Sequence, residues 1–149
     1  MDLPACRDIR RTGHWSEADD RVTLSYDDRF LRRKRLITVQ DKAFLVDLAH
    51  TTSLEHGDAF QLEDGRLIEC IAADEDLLEV TGPDLTRLAW HIGNRHTPCQ
   101  IEENRLLIQR DHVIQDMLSQ IGATLREVVE PFTPEGGAYG HGRTHGHAH

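Results

Sequence analysis

Several functions are excluded by what the chain lacks. Its cysteines, Cys6, Cys70 and Cys99, are odd in number and widely spaced, so no disulfide framework can be read from them. No apolar run approaches the length of a membrane span, and the acidic N-terminus carries no signal-peptide pattern. A soluble, cytoplasmic protein with no membrane partner is therefore expected. Positive charge is also short: 17 Lys and Arg against 26 Asp and Glu leave a net charge of −9, which argues against nucleic acid as a partner. No nucleophile–base signature, phosphate loop or clustered zinc-protease motif is present, so nothing points to an enzyme.

What is present divides the chain into two grammars. With 149 residues, one domain or two small ones are possible. Small domains bury a low fraction of their surface, so self-association is a reasonable source of extra stability. From about Val22 to Ala73 the pattern is of strands and turns. The runs 35–40 and 42–48 flank a polar junction at Gln40-Asp41-Lys42, and the runs 58–62 and 66–71 flank Glu63-Asp64-Gly65. In the last run either face could be the inner one: Leu67, Glu69 and Ile71, or Ile68 and Cys70. The basic run from Arg29 to Arg35 reads as a solvated strand edge protected against aggregation.

The acidic triplet Asp74-Glu75-Asp76 is a candidate boundary, and after it helices enter. A short strand over 77–80 leads to the helix start Thr81-Gly82-Pro83-Asp84, followed by the stripe Leu85, Leu88, Ala89 and Ile92. A hairpin around Glu103-Asn104 comes next. A second helix is capped by Asp111, carries Val113, Ile114, Met117, Leu118 and Ile121, and ends at Gly122; a last strand covers 124–129. The order strand, helix, strand, strand, helix, strand predicts a ferredoxin-like βαββαβ domain. The expected class is α+β: an all-β domain over 1–74, the ferredoxin-like domain over 75–132, and a disordered His-rich tail over 133–149, disorder setting in from Pro131.

The chemistry lies in histidines. Residues 89–98 open as a helix and stop at Gly93-Asn94, which suit a left-handed turn; His96 follows on the turn, before Thr97-Pro98. It is a candidate metal ligand, balanced against a capping role on the last helical carbonyls. His112 lies opposite the apolar stripe of the second helix, one turn from Asp116, and is expected to be exposed and at most a secondary ligand. The tail holds His141, His145, His147 and His149; imidazole suits nickel, copper and zinc, although a purification scar would look similar. As random coil the tail would reach about 20–25 Å and concentrate metal near the body. His91 reads as structural or solvent-facing, and His14, His50 and His56 have no metal-like spacing. Cys99 shares a strand face with Ile101 and reads as a buried small hydrophobe. One histidine cannot hold a divalent ion alone, but a two-fold axis beside His96 would supply a shared pair. Ligation requires neutral imidazole, so binding should weaken as pH falls through about 6.5, the ordinary imidazole value.

These residues resemble the urease accessory nickel metallochaperone family (UreE). The resemblance is carried by Ala89-Trp90-His91-Ile92-Gly93-Asn94-Arg95-His96-Thr97-Pro98, by Asp111-His112-Val113 with Met117-Leu118, and by the stretch from Glu130 to Gly140 before the His-rich end. In the β half it rests on Phe44-Leu45-Val46-Asp47-Leu48, Gly57-Asp58 and Asp64-Gly65-Arg66. It implies a two-domain homodimer with a partner-binding β domain, delivering Ni²⁺ to an apo-urease complex that includes an accessory GTPase. By position, His96 resembles the family's interfacial ligand, His112 a peripheral one, and the tail histidines auxiliary ones, with Zn²⁺ or Cu²⁺ accepted by the same groups. Some members carry a further histidine where this chain has Arg110, which would weaken or remove the peripheral site. Two other readings stand beside carriage: a Ni/Zn buffer or store without a transfer partner, and a metal-dependent hydrolase, for which no general base is visible.

Overall fold

A computed structural model describes residues 2–136, which divide between Ala73 and Asp74 into two compact units. The histidines expected to act from the tail, at 141, 145, 147 and 149, lie outside the described residues. Among the described residues no helix is long and apolar enough to cross a membrane.

The first unit is built from β1 (Cys6–Arg10), β2 (Asp20–Leu24), β3 (Phe30–Ile37), β4 (Ala43–Ser53), β5 (Ala59–Leu62) and β6 (Leu67–Ala72). They form one sheet in the order β2-β6-β5-β1-β4-β3. The pairs β1–β4 and β2–β6 are parallel and the rest antiparallel. Period-two alternation drives this packing: Val22 and Leu24, Phe44, Val46 and Leu48, and Ile68 and Cys70 turn inward together. Thus the Ile68–Cys70 face of β6 is the inner one. The β3–β4 turn closes with Asp41 at φ 62°, a left-handed residue.

Two sites in this unit depart from the sequence reading. Arg29, read as part of a solvated edge, is 2% exposed: its guanidinium donates to the Leu54 and Leu24 carbonyls at 3.2 and 3.0 Å. Residues 32–35 do lie on an exposed edge strand. Strand β1 and the first two residues of β2 lie before Val22, where the strand pattern becomes legible. The turn that follows β1 is fixed by Asp58, a fully buried carboxylate that accepts from Arg11 at 2.7 Å and from the Thr12 and Glu55 amides at 2.9 and 2.8 Å.

The second unit mixes strands and helices: β7 (Asp74–Thr81), α1 (Leu85–Asn94), β8 (Gln100–Ile101), β9 (Leu106–Gln109), α2 (His112–Gln120) and β10 (Thr124–Pro131). Its sheet runs β10-β7-β9-β8, every neighbouring pair antiparallel. The acidic triplet is not a linker: all three residues are in β7, where β10 pairs with them from Val129 to Pro131. Both helices pack on the sheet face that carries Leu78, Val80, Leu106 and Ile108. Each is capped by an aspartate, worth about 1 kcal/mol. Asp84 accepts from the Arg87 amide, and Asp111 from the Val113 and Ile114 amides. Pro83 therefore precedes the cap and is outside the first turn. Val113, expected in the apolar stripe of α2, is 59% exposed, and Ile101, expected to share a buried strand face with Cys99, is 52% exposed, because α2 and β8 turn those positions away from the core.

The expectation of disorder from Pro131 fails for residues 131–136. Phe132 is fully buried, the Thr133 amide donates to Gln100 Oε1 at 2.9 Å, and the Glu135 amide donates to the Cys99 carbonyl at 2.9 Å. Pro131 pairs with Asp74 at one edge of the sheet, while Gln100 opens β8 at the other, with Cys99 just before it. Three strand spacings are about 14 Å, and four residues reach about 14 Å when extended. The segment therefore crosses the sheet nearly straight. Gln100 is paired with Leu107, so the crossing lies on the face that bears Leu107 and Leu77, away from the helices.

An ion network on the same side was not anticipated. Arg105 donates to Glu130 at 2.7 and 2.6 Å, to Glu102 at 3.0 and 3.2 Å, and to Glu79 at 3.1 Å. Arg126 adds two contacts of 3.1 Å to Glu79. The Arg126 guanidinium first, and Arg105 with it, holds the Glu79 carboxyl below its ordinary range, and Arg105 does the same to Glu130. A carboxylate depressed in the folded state adds stability above its unfolded pKa and loses it as pH falls through the folded one. Denaturant midpoints followed across pH should therefore hold down to about pH 4.5 as far as this network is concerned, and then fall. Arg105→Met should flatten that acid limb and lower the neutral-pH plateau by about 2 kcal/mol. An unchanged acid limb would show that the network does not couple to folding.

Candidate metal site

The end of α1 is a Schellman turn. The His96 amide donates to the Gly93 carbonyl at 2.9 Å and the Thr97 amide to the Ile92 carbonyl at 3.3 Å. The residue that turns left-handed is not Gly93 or Asn94, as the sequence suggested, but His96 itself, at φ 57°. Gly93 and Asn94 are both inside α1. This position normally favours glycine, because an L side chain there costs about 1–2 kcal/mol. A histidine therefore occupies a strained position with its side chain exposed.

Topology brings the other candidates to the same end of the unit. Leu77 pairs with Gln109, so β9 ends beside the start of β7, and α2 begins there with His112 as its first residue. Helix α1 leaves from the far end of β7 and returns, so His96 and His112 share one end of the sheet. His112 is exposed, as expected from its helical position. The helix dipoles separate the two. A cation at the C-terminus of α1 is favoured by about 0.3–1 kcal/mol, whereas at the N-terminus of α2 it is disfavoured by a similar amount. Arg110 adds positive charge near His112; its guanidinium donates to the Leu77 and Val128 carbonyls at 3.1 and 3.2 Å and lies 3.8 Å from Glu127.

The remaining candidates are employed elsewhere. Cys99 is half-buried and packs against the core, and burial pushes its thiol up to about 12, so it stays protonated at neutral pH. His91 sits edge-on to Trp90 at 5.1 Å. His56 accepts the Ala72 amide on Nδ1 at 3.0 Å. Among the described residues no group of three His, Cys, Asp or Glu could hold a metal ion. His96 has the donor chemistry for a borderline divalent ion, but further ligands must come from outside this set.

Comparison with known proteins places the whole chain. Residues 2–73 match the family described as UreE urease accessory protein, N-terminal domain, and residues 75–149 match its C-terminal domain. The urease accessory protein UreE of Cereibacter sphaeroides is 60% identical over 149 residues, covering 99% of this chain and 81% of that protein. That of Ruegeria sp. is 65% identical over 132 residues, 89% and 75% of the two chains. That of Rhodobacter capsulatus is 60% identical over 137 residues, 92% and 87%.

Proposed function

This chain belongs to the UreE urease accessory protein family, and on that premise we propose that it carries Ni²⁺ as cargo on His96 and delivers it to apo-urease. The family makes it a urease-maturation chaperone and not an enzyme. The observation that carries the nickel reading is His96: an exposed imidazole kept where glycine would be less strained, at the helix end that favours a cation.

One imidazole needs company. We read the second unit as ferredoxin-like and dimeric, with a two-fold axis that brings two copies of His96 together. His141, His145, His147 and His149 add ligands from the tail, and Zn²⁺ or Cu²⁺ fits the same donors. His112 is a peripheral residue, weakened by Arg110 and by the dipole of its own helix. A site short of protein ligands exchanges metal readily, which suits transfer. The first unit docks the partners, the apo-urease complex and its accessory GTPase, through its sheet surface, and this takes place in the cytoplasm.

Nickel titration by calorimetry, with mass from light scattering, tests the reading on three full-length proteins: the native chain, a chain with the four tail histidines changed to alanine, and that chain with His96→Ala. The expected result is a dimer that still binds about one nickel without the tail histidines and none once His96 is gone. If the tail changes alone remove all binding, the folded body holds no nickel, the protein is a buffer and the carrier reading falls.

A further inference from the structure

Residues 130–135 do more than end a strand. Glu130 is clamped by Arg105, Phe132 is fully buried, the Thr133 amide is held by the Gln100 side chain, and the Glu135 amide by the Cys99 carbonyl. The Gln100 amide group is itself oriented, since its Nε2 donates to Glu102 at 2.7 Å. The chain is thus carried across the whole sheet and made fast beside Cys99, three residues from His96. Three residues span at most about 11 Å, and the six from Glu135 to His141 at most about 21 Å. Had the chain left the body at the end of β10, the tail would start from the opposite edge of the sheet.

We propose that this crossing is an anchor that sets the point where the histidine tail leaves the body, with Phe132, Gln100 and the Cys99 carbonyl as its positioning groups. It works through effective concentration: the anchor makes no metal contact but keeps the tail imidazoles within reach of the ion on His96. The inference rests on the reading that both His96 and the tail bind the cargo.

The test is a cycle between anchor and tail. Glu135→Pro deletes the amide bonded to Cys99 without touching the core, after a residue that is already proline. Gln100→Ala removes the acceptor for Thr133 and serves as the second variant, with Thr133 amide exchange reporting release. Each is placed in the native full-length chain and in the full-length chain with all four tail histidines changed to alanine, and Ni²⁺ affinity is measured by calorimetry. In the native chain each should weaken binding on the order of tenfold. In the tail-alanine chain each should change it less than about twofold, since there is no ligand left to position. Equal losses in both backgrounds would mean that the segment only supports the body, and the anchor is overturned. No loss in the native chain overturns it too, provided the tail-alanine change alone weakens binding. If that change has no effect, the tail is not a ligand, and the reading the anchor rests on fails first.

Discussion

Replacing His96 with glycine should abolish nickel binding to the folded body and make the protein more stable at the same time. Loss of the only well-placed imidazole at the end of α1 should weaken Ni²⁺ binding by on the order of 100-fold or more in a chain whose tail histidines are alanine. Stability moves the other way. His96 adopts φ 57°, where a side chain costs about 1–2 kcal/mol, and glycine releases that strain. Glycine also enlarges the unfolded ensemble, which takes back about 0.4–1 kcal/mol. On these backbone terms the balance is a gain of about 0.5–1 kcal/mol, read as a higher urea midpoint. His96→Ala should lose the metal equally but gain nothing, because alanine keeps the left-handed strain. The pair of variants therefore separates ligand loss from backbone relief. If His96→Gly lowers stability, the histidine is there to hold the turn, and its position no longer argues for a metal.

Phe132→Ala should produce the largest loss of stability. The residue is fully buried in a stretch where composition alone suggested disorder. Truncating a buried phenylalanine costs about 3–5 kcal/mol, from lost transfer energy and the cavity left behind. A unit of this size has little more than that in reserve. Urea denaturation should show the second unit unfolding earlier while the first keeps its own transition, as expected for two compact units with separate cores. Phe132→Leu keeps most of the volume and should cost less than about 1.5 kcal/mol. A Phe132→Ala variant within 0.5 kcal/mol of the native chain would mean that the crossing segment is not packed in solution, and the anchor argument would go with it.

Much of the second unit could be read in advance because its signals are local. Helix α1 with Leu88 and Ile92, helix α2 with its Asp111 cap and Gly122 stop, and the hairpin around Glu103-Asn104 depend on neighbours within a few residues. The His96 stretch and the family resemblance were legible for the same reason: each is a short run of residue types in fixed spacing. The composition argued against a disulfide framework and against nucleic acid as a partner without any structure at all.

Contacts distant in sequence decided the rest. Strands β1 and β2 are short, and two of their pairings are parallel, to β4 and β6, which no hairpin turn announces. Arg29 looked like one more charge in a basic run; only the folded unit supplies the two carbonyls that allow its burial. The left-handed turn moved from Gly93-Asn94 to His96 because α1 runs on to Asn94 and the chain must then turn into β8. Arg105 meets Glu79 and Glu130 only when β7, β9 and β10 are side by side. Phe132 sits among Pro, Gly and Glu, where periodicity carries no signal, yet the sheet it crosses is assembled from strands that begin as far back as Asp74. Local spacing reveals which residues can form an element; which face is covered, and by what, is settled only when distant segments meet.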